Sequence, residues 1–444
     1  MFETLIRGGT VVNADGLGRR DIGIAAGKVA ALIAPGEAAE ASTLIDASGC
    51  FLLPGLVDTH AHLRDPGLTH KEDFSSGTHA AALGGVTTVL DMPTDEPWTA
   101  TSDQLAEKMA VAEGCIHVDV GLQAVVSRDL SLVPRLLDLA PVSFELFTAD
   151  VPDAFLFASL DNVAEALKAF AGADTLIGIS PGDQSILTGR SERNRFSSIA
   201  AFLDSRPPLA EANGIARALV TAASAEARIH VRQINSELGV ETWSRLRGMA
   251  DASVETTPQN LFFTAQDYEA QGANLKASPP LRSPHDADAL RAALSAGLID
   301  VVATDHAPHA PAEKAAAYAA FAEIPGGMPG LQTLLPTMLR LVDEGLIALP
   351  DLVRMCASSP AERFGLGRRK GRIATGYDAD LLILDPRQSS TIANADQVSR
   401  AGYTPFDGWT VKARLTSVFL RGREIVREGL LVGRARGKIV TRES

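Results

Sequence analysis

The stretch Gly55-Leu56-Val57-Asp58-Thr59-His60-Ala61-His62-Leu63-Arg64-Asp65-Pro66-Gly67 decides how the rest of the chain is read. A short apolar run ends in two histidines two residues apart, and a Pro-Gly turn closes it. Residues at i and i+2 share one face of a strand, so both imidazoles point the same way. Upstream, residues 1–50 hold short alternating segments such as Thr10-Val11-Val12 and Asp21-Ile22-Gly23-Ile24, with turns at Gly8-Gly9 and Asp15-Gly16. Downstream, short apolar runs alternate with amphipathic helical stretches. The runs include Thr87-Thr88-Val89-Leu90, Leu176-Ile177-Gly178-Ile179, Ile229-His230-Val231 and Ile299-Asp300-Val301-Val302. Helices are expected at 102–113, 163–170, 210–223 and 287–296, and an Ala-rich one at 309–322. Continuous runs of this kind suit buried parallel strands, and about eight strand–helix units close an α/β barrel. β character returns near residue 372. The expected architecture is therefore a (β/α)8 TIM barrel over 54–372, as one long insertion between two β-rich ends, 1–53 and 373–444, that could pair with each other.

Composition narrows the function. The chain has 444 residues, 46% of them hydrophobic, and a formal net charge of −13. An acidic surface repels phosphate backbones, which argues against a nucleic-acid partner. No stretch approaches the roughly 18 apolar residues of a membrane span, and the first residues lack a signal-peptide pattern. The three cysteines are scattered, so reduced thiols and a cytoplasmic location are expected. Only nine histidines are available to any metal site.

A second cluster lies at Thr304-Asp305-His306-Ala307-Pro308-His309, where Asp305 follows the apolar run Val301-Val302-Ala303. A carboxylate at the C-terminal end of a barrel strand points to where active residues converge. It can bind a metal and accept a proton.

With these two clusters, the chain resembles the amidohydrolase superfamily in its dihydroorotase, allantoinase and hydantoinase branch. The segments GLVDTHAHLRDPG (55–67), KEDFSSGTHAAALGGVTTVLDMP (71–93), SPPLRSPHDADALRAAL (278–294), IDVVATDHAPHAPAEK (299–314) and PFDGW (405–409) carry it. HLRDPG followed by KED is most like dihydroorotase. The resemblance implies a barrel enzyme, with a small flanking β-sandwich built from 1–53 and 373–444, that hydrolyses cyclic amides or imides with divalent metal. It further implies one metal on the HxH pair of strand one and an Asp of strand eight. A second metal takes a His from strand five and a His from strand six, and a carboxylated lysine of strand four bridges the two.

This chain departs from that pattern. Glu145, in Ser143-Phe144-Glu145-Leu146-Phe147, stands where the lysine is expected. It is either a metal ligand or the partner of a nearby arginine. Ser180 and Gln233 stand where the second metal's histidines are expected. The expected ligand set is therefore His60, His62, Asp305 and Glu145 around one divalent ion, with a second ion doubtful. Zinc suits that set, while iron and manganese stay open. Asp305 is the expected catalytic base. Arg64, Thr94, Ser278, Arg282 and His309 are the expected substrate contacts. Of these, Thr94 and Ser278 replace asparagines of the dihydroorotase pattern. Three function readings follow: a dihydroorotase-like hydrolase, an allantoinase- or hydantoinase-like one with an altered substrate, or a catalytically inactive scaffold. The resemblance also implies a homo-oligomer, dimer or tetramer.

Overall fold

The computed structural model describes residues 1–192 and 198–442. Eight parallel strands follow one another in chain order across a single sheet: β1 (Leu56–Ala61), β2 (Val86–Asp91), β3 (Asp119–Val125), β4 (Ser143–Phe147), β5 (Ile177–Ser180), β6 (Ile229–Val231), β7 (Ala252–Thr256) and β8 (Val301–Val302). The sheet closes on itself where Ala61 bridges His306 in parallel and the His62 amide donates to the His306 carbonyl at 2.7 Å. Every residue of β1, β2, β3 and β4 is buried, as expected of strands covered by helices on one side and barrel core on the other.

Local sequence sets the helix starts. Asp73 caps Phe74–Leu83 and Thr101 caps Ser102–Ala112, each by accepting from an amide three residues on. Pro208 opens the long helix Pro208–Ala225, where its missing N–H costs nothing.

Both chain ends contribute to a flanking β structure. One sheet has four strands, all from the first 46 residues. The other has seven and joins Thr10–Asn13, Gly16–Arg19 and Phe51–Pro54 to Leu381–Asp385, Arg414–Leu420, Arg423–Arg427 and Leu430–Leu431, the two sets meeting where Phe51–Pro54 pairs with Leu381–Asp385. A buried cation ties this unit to the barrel. Lys370 Nζ lies 2.6 Å from Asp119, 2.5 Å from Asp380 and 3.1 Å from Asp378. Those three carboxylates converge as metal ligands would, but the ammonium of Lys370 already stands among them.

Three details differ from the sequence reading. Strand β7 is passed over by a search for apolar runs, because Ser253 and Glu255 alternate with Val254. The Ala-rich segment is helical only over Pro311–Ala315, and then runs as loop to the turn Phe321–Glu323. Ala316 to Ala320 supply propensity but no amphipathic stripe to pack. Finally, Ile439–Val440 leaves the sandwich region and pairs in parallel with Val120 and Gly121 of β3.

Candidate metal centre

The C-terminal ends of the barrel strands bring the two sequence clusters together. His60 and His62 leave β1 on one face, and Asp305 lies three residues past β8. The Nε2 atoms of both histidines lie 3.3 Å from the same oxygen, Asp305 Oδ1. His60, His62 and Asp305 form a group with all ligating atoms within 4.8 Å of one another.

The far side of each imidazole is tied down. His60 Nδ1 meets Glu255 Oε1 at 2.5 Å, and His62 Nδ1 meets Thr94 Oγ1 at 2.8 Å. With Nδ1 donating, each ring presents the Nε2 lone pair to the centre. Burial pushes the His62 imidazole down to about 3, so it stays neutral, the form a metal needs. For His60, burial acts in the same direction but the Glu255 and Asp305 carboxylates outweigh it, and the net shift is upward. The donor set and its orientation fit one divalent ion. Thr94→Val keeps the shape but removes the hydroxyl that orients His62. Metal affinity is expected to fall about 10–100-fold, measured by competition with a chelating dye.

The fourth expected ligand stands elsewhere. Glu145 is fully buried, yet it is absent from the converging group. Its Oε2 pairs with Arg232 Nε at 3.0 Å and its Oε1 accepts from Ser180 Oγ at 2.9 Å. This is the arginine-paired alternative, and the reason is reach: the side chain ends against Arg232 inside the barrel. Arg232 and Glu255 are the site residues that reading the sequence missed. Arg232, directly after the run Ile229-His230-Val231, carried a signal as a charge at the end of a buried strand; Glu255, in the alternating stretch Ala252–Thr256, carried none that a search for apolar runs could find.

Glu255 is the hub beneath the centre. It accepts from Thr59 Oγ1 at 3.0 Å, His60 Nδ1, His230 Nε2 at 2.9 Å and Arg232 Nη1 at 3.1 Å. Burial would raise its carboxyl, but Arg232 and His60 hold it well below the usual carboxylate range. It is therefore ionised, and it fixes the His60 tautomer. His230 is fully buried and bridges Glu255 to Ser253.

The expected substrate contacts divide. Ser278 lines the cavity of about 230 Å³ that opens over His60, His62 and Asp305. Arg282 also lines it, but its guanidinium is committed to the wall: Nε donates to Asn235 at 2.9 Å, Nη1 to the Arg206 carbonyl, and Nη2 lies 3.4 Å from Glu211. Thr94 serves His62. His309 lies off the cavity wall; its Nε2 donates to the Gly326 carbonyl at 3.0 Å, and Lys71 stands 3.5 Å from its Nδ1. That ring pins the Gly326-Gly327 loop. Arg64 also lies off the cavity wall, but its Nε is buried with no hydrogen-bond partner among the described residues. An unpaired buried donor of this kind costs free energy until something accepts from it.

Gln233, at the position of the missing histidine, donates from Nε2 to Asp305 Oδ2 at 2.5 Å. Three residues of the centre hold left-handed backbone: Arg64 at φ 63°, Gln233 at 43° and Asp305 at 46°. Such strain costs about 1–3 kcal/mol per non-glycine residue and collects at functional sites. The rest of the cavity wall is largely apolar, with Met92, Phe147, Val151 and Leu187.

Comparison with known proteins points the same way. The amidohydrolase family profile matches residues 51–134 and 239–425. The chain is 34% identical to a dihydroorotase of Methanothermobacter thermautotrophicus over 88% of this chain and 87% of that protein. It is 33% identical to an allantoinase of Salmonella newport, covering 95% and 94%. An L-hydantoinase (dihydropyrimidinase) structure from Arthrobacter aurescens superposes with a TM-score of 0.95 at 31% identity, over the whole of both chains.

Proposed function

The chain belongs to the amidohydrolase family, and from that premise we propose that it opens a cyclic amide or imide ring by hydrolysis, using one divalent metal ion held by His60, His62 and Asp305. The observation that carries this is the convergence of two Nδ1-anchored imidazoles on one oxygen of Asp305. Zinc is the ion that best suits two imidazoles and a carboxylate. A divalent ion there would polarise the ring carbonyl and acidify water.

The protein's own groups complete the reaction. Asp305 turns Oδ1 to the histidines and Oδ2 to Gln233, so one oxygen can serve as ligand and the other as base. Asp305 takes a proton from the attacking water as the water oxygen bonds to the ring carbonyl carbon. The C–N bond breaks, and the same proton passes to the leaving nitrogen. The new carboxyl group loses the second water proton to solvent, so the products are a carboxylate and the freed N–H. Gln233 orients Oδ2 through its amide. Arg64, with a donor to spare, is the proposed contact for an acidic substituent, and Ser278 contacts the ring edge. A second reading, in which the ring carries an apolar substituent instead, is favoured by the wall of Met92, Phe147, Val151 and Leu187.

The test is a ring-opening assay over dihydroorotate, allantoin, substituted hydantoins and cyclic imides, run beside ICP-MS of the purified protein. One tightly bound ion per chain is expected, with turnover lost on chelation and restored by metal. A chain without bound metal and without turnover on any ring would support the scaffold reading instead. No helix among the described residues is long and apolar enough to cross a membrane. A cytoplasmic dimer or tetramer is the proposed working form, and light scattering after gel filtration weighs it.

A further inference from the structure

Arg232 is surrounded in a way that a structural ion pair does not require. Its guanidinium is buried at the foot of the cavity, and four oxygens face it from four strands. Nε donates to Glu145 Oε2 at 3.0 Å. Nη1 donates to the Thr59 carbonyl at 3.0 Å and to Glu255 Oε2 at 3.1 Å. Nη2 donates to Gln123 Oε1 at 2.6 Å. Two of the four oxygens are carboxylate, one is main-chain carbonyl and one is amide. That is the donor chemistry of a hard divalent cation site.

The surroundings are built to hold this cation. A Cβ on Gly178 would stand 2.1 Å from Glu145 Oε2 and 2.9 Å from Arg232 Nε, so only glycine leaves room for the pair on β5. The Phe364 ring lies 5.5 Å from the guanidinium carbon, covering it with an aromatic face. Burial opposes the charged form, but Glu145 and Glu255 outweigh it and hold the guanidinium protonated. Arg232 also shares Glu255 with the metal ligand His60. A fixed positive charge is thus lodged one side chain away from the metal centre. In a buried site, a second cation beside it would meet strong repulsion.

We propose that Arg232 is a built-in cation that limits the centre to one metal ion, and that the cage of Glu145, Glu255, Gln123 and the Thr59 carbonyl is a divalent-cation site closed by that side chain alone. The proposal rests on the one-ion reading of the His60, His62 and Asp305 centre. It adds that the count is set by a positioning residue, not merely by the missing histidines.

The experiment counts metal. Wild type, Arg232→Ala, Arg232→Lys and the pair Glu145→Gln with Arg232→Met are each incubated with excess zinc or manganese, gel-filtered and measured by ICP-MS. Wild type and Arg232→Lys are expected to hold one ion per chain. Arg232→Ala is expected to hold two, because two carboxylates lose their counter-charge. The paired variant, with one carboxylate neutralised, is expected to return to one. Added guanidinium, kept below denaturing concentration, is expected to displace the second ion from Arg232→Ala. Added metal should also raise the thermal midpoint of Arg232→Ala more than that of wild type. A folded Arg232→Ala chain that binds no more metal than wild type overturns the proposal. If that variant does not fold, Arg232→Gln, which keeps an amide donor in the cage, carries the same two-against-one comparison. A wild-type count of zero or two, in contrast, overturns the one-ion reading itself.

Discussion

Replacing Asp305 by asparagine is expected to lower kcat/KM for ring opening by about 10³-fold or more, since general base catalysis alone contributes roughly 10²–10⁴-fold. The exchange preserves size and leaves Gln233 an oxygen to donate to. What it removes is charge and basicity. Asp305 is where the two functions meet: Oδ1 stands 3.3 Å from both His60 Nε2 and His62 Nε2, and Oδ2 accepts from Gln233. Steady-state kinetics and ICP-MS on one preparation separate the two losses. Lost turnover with metal retained identifies the base; lost turnover with lost metal identifies the ligand. Turnover at the wild-type rate would exclude the mechanism. The backbone of Asp305, at φ 46°, is also expected to relax no further on substitution, because asparagine tolerates the left-handed region as aspartate does.

The second large effect is expected below the metal centre. Glu255→Ala removes the acceptor shared by Thr59, His60, His230 and Arg232. Breaking a buried pair from one side leaves the other charge uncompensated and costs about 3–5 kcal/mol. The readout is the urea midpoint, which is expected to fall clearly. Glu255→Gln, which keeps one acceptor oxygen, should fall less. Both variants free the His60 ring to turn, so metal affinity should drop as well, by about 10–100-fold. A midpoint equal to that of wild type for Glu255→Ala would mean that Arg232 finds full compensation in Glu145 and Gln123, and that Glu255 is not the hub.

The same logic recurs at the edge of the barrel. Lys108 is fully buried on Ser102–Ala112, 2.6 Å from Asp91 and 2.5 Å from Asp95. Asp91 also accepts from the Leu63 amide at 2.8 Å, which fixes the turn after His62. Buried cations at 232 and 370 likewise hold carboxylates from separate segments together, while Lys108 gathers two from the end of β2 and the loop after it. Nothing in the sequence around any of the three, whether Arg232 after Ile229-His230-Val231 or Lys370 within Arg368-Arg369-Lys370-Gly371-Arg372, names the carboxylates that it meets.

What the sequence determined by itself was periodic or local. Alternating strands and helices implied the barrel, the two-residue spacing of His60 and His62 put both rings on one face, and Asp305 at a strand end joined them. These follow from backbone geometry within a few residues. Strand Ala252–Thr256 escaped because Ser253 and Glu255 point into a polar barrel interior, where the apolar rule fails. The choice of partners was decided by the tertiary structure. Glu145 lies 87 residues from Arg232, and Arg282 lies 47 from Asn235. Nothing in either local pattern says whether a carboxylate will meet a metal or a guanidinium. A buried charge takes whichever counter-charge the closed barrel places within about 3 Å, and that placement exists only once all eight strands are in register.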